Sequence, residues 1–586
     1  MTNPDFDTDV FVVGLGPTGA IAALNLARLG VRVRAISKRN WVSDTPRAHI
    51  TNIRAAEVLR SLGVEEECRR QATPWASMGD TLFTTSLAGP EVARLRTWGT
   101  GDDRAGEYRA SSPSTMMDLP QNLLEPILVD AAATAGAQLA YNVEYLGHVQ
   151  DADGVTVSIR DRLSGHESTV RTRYLVGADG ARSRVAEDAG IPLEGVLARA
   201  GTVYVQFDAD LSTYVEHRPS ILYWIMNPAA GFGEIGMGLL RMIRPWNRWI
   251  AGWGFDMALG DPDLSAENAL AKIRALVGDP DFECAITGIF PWFVNRQYAT
   301  ALSVGRVFCG GDAVHRHPPS SGLGSNTSMQ DAYNLAWKIA LVVRGEAGAG
   351  LLDSYSAERV PVARQIVERA NQSRIDYAPL REAFTVPGAA EPLVAGLAKL
   401  ADPGKVGREA RAALREALDL KDFEFNAQGT EMNQRYTSDA VLDDGSGPEE
   451  WVRDPALHAQ HTTRPGAKLP HSWLVAPDGH RISTLDVVAD DRLTLVTDLA
   501  GTAWVEAAAA IGDRLAVVVI GADAHRDLYY TWHDAAGLDE GSALLVRPDR
   551  VVAWRHRGPA ESAIAPELLA DAASRILQID LRGVSV

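Results

Sequence analysis

Three glycines in Gly14-Leu-Gly16-Pro17-Thr18-Gly19 have the spacing of a turn that carries a strand into a helix. In such a turn the first glycine reverses the chain and the second lets a pyrophosphate approach the backbone. The third lets helix and strand pack closely, with the phosphate on the helix N-terminus. Two carboxylates lie far downstream. Asp179-Gly180 ends the apolar run from Leu175, and Gly311-Asp312 follows the run at 304–308. Each places an acid at a strand end, where it can hold a ribose hydroxyl. Each alone is also a turn in which Asp is favoured locally. Gly322-Leu-Gly324-Ser325-Asn326 then leads into a helical stripe made by Met329, Ala332, Tyr333, Ala336 and Ile339. A GxGxxG, an internal Asp-Gly and a late Gly-Asp in this order point to one large dinucleotide. The fingerprint also expects an acid at the end of the second strand, but Ser37 stands there, followed by Lys38 and Arg39. The adenosine ribose therefore has a different or weaker partner.

Other reactive types give less. His315 and His317 flank Arg316 with no carboxylate pair nearby, so no metal site is expected. The three cysteines, Cys68, Cys284 and Cys309, include no close pair, which excludes a disulfide framework and implies a reducing cytoplasm.

The elements that must position these groups are legible in outline. Residues 9–13, 20–29 and 31–36 read strand, helix, strand, with Gly30 ending the helix. A Trp-rich stretch at about 200–299 reads as antiparallel sheet. It offers Tyr223, Trp224, Met226, Arg241, Trp249, Trp253 and Trp292 to a planar aromatic ligand. For each of these, plain core packing is the competing reading. Arg241 pairs with a substrate carboxylate or with an internal acid, and the sequence does not choose. Residues 304–308 form another strand, 354–418 are largely helical, and 435–465 read as a linker or long loop. From 467 onward strands at 493–497, 515–520 and 543–546 alternate with helices, which makes a small separate α/β domain.

The bulk numbers agree. The chain has 586 residues, too many for one core. With 57 Lys and Arg against 75 Asp and Glu its net charge is −18, which argues against nucleic acid or an anionic membrane as partner. No membrane span and no secretory signal are expected.

These motifs resemble those of the class A FAD-dependent aromatic hydroxylases. The likeness is closest on the phenol hydroxylase branch that includes the dichlorophenol monooxygenases. Residues 46–52, 119–125, 244–249, 311–319, 547–549 and 552–555 carry it, and it extends over nearly the whole chain. The resemblance implies an α/β fold. A Rossmann-like FAD-binding domain (about 1–80, 115–195 and 300–420) is interleaved with an antiparallel-sheet substrate domain (81–114 and 196–299). A linker (421–465) and a thioredoxin-like domain (466–586) complete it. FAD falls to Gly14, Gly16, Pro17, Thr18, Gly19, Lys38, Arg47, Gln121, Asp179, Gly180, Asp312, Pro319, Gly322, Gly324, Ser325 and Asn326, with Asp179-Gly180 shared with NADPH. Tyr223, Arg241, Trp292 and Pro318 would touch a small phenol, and a homodimer is implied.

The chemistry implied is ortho-hydroxylation to a catechol, through a flavin C4a-hydroperoxide made from NADPH and O2. The helix beginning near Ser325, if aimed at the flavin, would stabilise negative charge on the reduced ring. A phenol of pKa about 10 needs a base to become phenolate near neutrality. In phenol hydroxylases that base position holds an aspartate; here it is His49, whose intrinsic pKa of about 6.5 suits the task. The alternative is that His49 only shapes the pocket. The C-terminal domain has no cysteine, so dithiol chemistry is excluded. Competing readings are a flavin oxidase or dehydrogenase that inserts no oxygen, a nicotinamide dehydrogenase without flavin, and a non-catalytic flavin-binding partner.

Overall fold

The computed structural model describes residues 6–227 and 235–581. Thr8–Val13 is wholly buried, as an apolar run without alternation should be when a strand is covered on both faces. It pairs in parallel with Val33–Ser37 on one side and Glu167–Gly177 on the other. Gln138–Tyr141 and Val307–Cys309 extend the parallel sheet outward, while Val155–Asp161 runs antiparallel beside Glu167–Gly177 and Val143–Gln150 antiparallel beside Val155–Asp161. The single strand expected at 304–308 is two. Ser303–Val304 and Val307–Cys309 pair antiparallel across a turn at Gly305, whose φ of +60° a side chain would resist.

Helix Pro17–Arg28 follows the glycine turn and packs between Gln121–Thr134 and the long helix Gly324–Arg344. Gly30, at φ +75°, ends it. Its spacing of apolar residues was readable because nine of its twelve residues are buried.

A second eight-stranded sheet runs His315–Arg316, Ala285–Ala299, Leu193–Asp208, Arg248–Phe255, Gly238–Arg244, Leu222–Ile225, Thr81–Thr84, Glu91–Leu95. It is antiparallel except where Leu222–Ile225 meets Thr81–Thr84. Its edge strand His315–Arg316 comes directly from the Gly-Asp loop, so that loop joins the two sheets. A three-stranded patch of Ile50–Thr51, Met117–Asp118 and Thr73–Pro74 lies near the junction.

The C-terminal sheet has the order Leu515–Ile520, Leu493–Asp498, Ala543–Val546, Val552–His556. Helices Thr502–Ile511 and Ala565–Leu577 pack together beside it. The stretch expected as a linker from 421 opens with two short helices, Asp422–Phe425 and Gln428–Met432. The rest is pinned by Arg435–Glu449 at 2.7 Å and by Arg555–Asp444, with Tyr436, Ala440 and Leu442 buried. Among the described residues no helix is long and apolar enough to cross a membrane.

The glycines of the first turn differ in what they tolerate. A β-carbon on Gly19 would stand 1.9 Å from the Gly14 carbonyl oxygen, whereas one on Gly16 would meet only Glu125 Oε1 at 3.6 Å. Gly19→Ala should therefore destabilise the fold by about 3 kcal/mol, as overpacking against backbone does. Gly16→Ala should leave thermal melting nearly unchanged. Equal melting shifts in the two variants would contradict this.

Candidate active site

Three distant segments meet at the carboxyl ends of the parallel strands. A β-carbon on Gly14 (φ +108°) would lie 2.1 Å from the Ala178 carbonyl oxygen, and one on Gly311 (φ +64°) 2.2 Å from Thr18 Oγ1. Residues 14–19, 178–180 and 310–312 thus touch one another. Of the three glycines in the first turn, Gly16 alone would place a β-carbon without a clash, so its lack of a side chain serves something outside the protein. Above it helix Pro17–Arg28 begins with no side-chain cap, and Pro17 sits where a missing N–H costs nothing. The long helix also starts at Gly324 without a side-chain cap, and Ser325 Oγ there is buried without a partner. Two uncapped N-termini give the region partial positive charge.

Asp312 is exposed by surface area, yet protein surrounds it closely enough that burial raises its carboxyl above the usual range, against the pull of His315, Arg47 and Arg316. A group on a cavity wall has both properties. Arg316 also feels Asp179, and burial lowers its guanidinium below the usual value. The Asp-Gly and Gly-Asp carboxylates thus flank one arginine that sequence reasoning had treated only as a spacer.

Several expected ligands have their side chains engaged elsewhere. Asp179 accepts from Ser183 Oγ at 2.5 Å and from the Arg184 amide at 2.8 Å, so it braces the start of helix Arg184–Asp188, which Ser183 caps. Asn326 accepts from the Asn52 amide at 3.0 Å and donates to the Ile50 carbonyl at 2.8 Å. It braces the 49–52 segment, which leaves only its backbone for a ligand. Gly180 and Gly322 adopt positive φ, of +82° and +60°. Lys38 is exposed at its strand end, Pro319 is exposed, and Pro318 is buried with its carbonyl oxygen 2.7 Å from His317 Nδ1. Burial holds His317 down to about 4, hence neutral.

Two buried acids went unnoticed in the sequence. Glu125 accepts from Gln121 Nε2 at 2.5 Å and from the Ser43 amide at 2.6 Å, directly below Gly16. Asp331 accepts from the Gly311 amide at 3.0 Å and the Arg359 guanidinium at 2.8 Å, and lies 2.9 Å from His315 Nε2. The available signal was a charge inside an apolar helical stripe, which is rarely buried unless paired.

The segment 47–52 crosses from this cradle to the second sheet. Arg47 lies beside Asp312, and two residues later His49 lies beside Asp118, with Ala48 between them at φ +45°. The Asp118 carboxylate accepts from Arg241 Nη2 at 2.8 Å. Of the two roles open to Arg241, the internal acid is the one observed. His49 Nδ1 is 3.6 Å from Asp118 Oδ1, too far for a hydrogen bond. Both ring nitrogens of His49 and Asp118 Oδ2 are buried with no partner at hydrogen-bond geometry, although the Pro46 carbonyl lies near the ring. Burial, and then Arg241, hold His49 well below the ordinary imidazole value, while burial raises Asp118 despite Arg241.

Strand alternation sorts the aromatic residues. Leu222 pairs with Arg241, Trp224 with Leu239, Leu239 with Gly252, Gly252 with Tyr204, and Thr202 with Trp292. These share the face of Arg241. Tyr223, Trp249 and Trp253 lie on the opposite face, in the hydrophobic core. Tyr223, expected to touch substrate, is instead fully buried there and donates to the Arg218 carbonyl at 3.0 Å. Composition named the aromatics but not the side of the sheet on which each falls.

The cradle fits FAD: an open glycine on a helix N-terminus for a pyrophosphate, a carboxylate on a cavity wall for a hydroxylated chain, and an unpartnered buried hydroxyl at a second helix start. Known proteins agree. The FAD binding domain family matches residues 7–370, and the aromatic-ring hydroxylase C-terminal family matches 462–578. The chain is 50% identical over 566 residues to a 2,4-dichlorophenol 6-monooxygenase of Cupriavidus pinatubonensis, covering 95% of this chain and 94% of that one. It is 45% identical over 558 residues to a phenol 2-monooxygenase of a Pseudomonas strain, covering 94% and 90%. The crystal structure of the flavin-dependent monooxygenase PieE with FAD and substrate superposes with a TM-score of 0.93 at 42% identity, covering 98% of this chain and all of that one. The chain belongs to the FAD-dependent aromatic-ring hydroxylases.

Proposed function

We propose that this protein uses FAD, NADPH and O2 to hydroxylate a neutral phenol next to its hydroxyl group, giving a catechol. The carrying observation is the group of three buried atoms without a hydrogen-bond partner on His49 and Asp118, with His49 two residues beyond Arg47, which meets Asp312. Buried polar atoms are seldom left unpaired, and a phenolic hydroxyl can donate its one proton to a ring nitrogen of His49. Bound FAD, reduced by NADPH and then reacting with O2, supplies the electrophilic oxygen.

The chain's own residues do the rest. His49 is neutral at pH 7 and accepts the phenolic proton on a ring nitrogen. Asp118 faces the resulting imidazolium and stabilises it. Loss of the proton pushes charge onto the ortho and para carbons of the ring. The face made by Trp224, Tyr204 and Trp292 holds the ring plane, and Arg241 keeps Asp118 in position. Because Asp118 already neutralises Arg241, a substrate carboxylate would bring a second negative charge to a buried site where that guanidinium is already matched. Such a charge costs several kcal/mol, so simple and halogenated phenols are favoured over hydroxybenzoates. The supporting similarity is to relatives named for phenol and dichlorophenol.

His49→Ala should slow hydroxylation at pH 7 by about 10²-fold, the usual contribution of a positioned base, with FAD still bound by its absorbance. A wild-type rate would remove His49 from the mechanism. A base with a depressed pKa stays neutral, and competent, as pH falls below the ordinary 6.5. The acid limb of kcat should accordingly lie below pH 6.5. Arg241→Gln removes a positive charge and should move that limb upward, and no shift, or a shift downward, would count against this electrostatic account. In a substrate panel scored by NADPH use and product mass, phenols should outperform hydroxybenzoates at least about 10-fold in kcat/KM. A hydroxybenzoate preference, or NADPH use that yields only hydrogen peroxide, would overturn the proposal.

A further inference from the structure

We propose that Arg547, in the C-terminal domain, is a positioning residue for the FAD site: through Glu358 it sets the register of helix Ser354–Ile375, whose Tyr355 and Arg359 hold the Gly-Asp loop. This rests on the reading of residues 310–312 as part of the FAD cradle. The Arg547-Pro548-Asp549 motif has no part in the chemistry described so far.

The links are short and buried throughout. The Arg547 guanidinium donates to both oxygens of Glu358, at 2.5 and 2.8 Å, and also to Asp549 at 2.5 and 3.0 Å. Such a fork fixes orientation as well as distance. Glu358 further accepts from Lys338 Nζ at 2.8 Å, Asn334 Nδ2 at 2.7 Å and Ser438 Oγ at 2.7 Å. The side chains of Arg547, Glu358 and Lys338 have no exposed surface. A carboxylate with this many donors has one position and no slack.

Tyr355, Glu358 and Arg359 are three and four residues apart, hence on one helix face. Tyr355 donates to the Cys309 carbonyl at 2.9 Å, and a β-carbon on Gly310 would stand 3.0 Å from its hydroxyl. Arg359 donates to Asp331 at 2.8 Å, and Asp331 accepts the Gly311 amide at 3.0 Å. Since a helix moves as a unit, a displacement at Glu358 reaches both contacts with the loop. The cysteine-free C-terminal domain thereby acts on the cofactor site without entering it.

The test is a double-mutant cycle on the full-length apoprotein. FAD Kd is read by flavin fluorescence quenching, and protection of the Gly311 amide by hydrogen exchange. Arg547→Lys keeps the charge and loses the fork. It should melt cooperatively, raise FAD Kd about tenfold, as coupled contacts of this size allow, and speed exchange at Gly311. Combined with Asp331→Asn it should add less than about twofold to the effect of Asp331→Asn alone, because both act through one loop. A folded Arg547→Lys with unchanged Kd, or multiplicative effects in the double variant, would overturn the inference and leave Arg547 a stabiliser of the C-terminal domain only. If Arg547→Lys fails to fold, Glu358→Gln, of nearly the same shape, is read by the same two measurements against the same outcomes. Asp312→Ala, measured alongside, separates the cradle itself: an unaltered FAD Kd there removes both the cradle reading and this inference.

Discussion

Backbone contact closer than a β-carbon allows is the constraint on which this structure depends. Gly14 against Ala178 and Gly19 against Gly14 leave room for hydrogen and nothing more between backbones, and Gly311 packs as closely on the Thr18 hydroxyl. Segments nearly three hundred residues apart in the chain can then share one corner of the parallel sheet. Two helix N-termini and a partly enclosed carboxylate follow from that corner. Conformational strain stays local, since glycine accepts positive φ where another residue would resist it. Gly16 breaks the pattern informatively, because its free space lies where the chain has nothing to place.

Glycine spacing and strand ends were legible because they depend on local rules. A turn, a helix start and an apolar strand each occupy a few residues, and 14–19, 178–180 and 310–312 carried that information in order. The segment 304–308 was misread because Gly305-Arg306 makes a two-residue turn inside an apolar run. Asp118, Glu125 and Asp331 were not legible, since their partners come from other parts of the chain: Arg241, Ser43 and Arg359. Tyr223 failed for a different reason. Sheet alternation tells which residues share a face but not which face meets the site, so Tyr223 and Trp224 were interchangeable until the register against Arg241 was known.

The same pairing logic runs through the interior. Asp118 meets Arg241, Asp331 meets Arg359, and Glu358 meets Arg547 and Lys338. Each acid is matched before any ligand arrives, so these charges fix geometry more than they add stability, since desolvation offsets much of their attraction. The imidazoles of His49 and His317 sit among these ions and are kept neutral by burial.

That balance bears on substrate choice more directly than pocket shape does. Around His49 the protein presents the paired Asp118 carboxylate and Arg241 guanidinium and one neutral ring with open nitrogens. A neutral phenol enters without disturbing the sum, and its proton, once on His49, makes an imidazolium and a phenolate next to each other, with Asp118 beside the imidazolium. Charge is created in pairs, each beside its counter-charge, so the step demands little reorganisation. A hydroxybenzoate would bring a full negative charge before the reaction begins, and Arg241 could meet it only by releasing Asp118. The electrostatic reason to expect phenols is therefore the bond between Arg241 and Asp118, at 2.8 Å, formed before substrate binds.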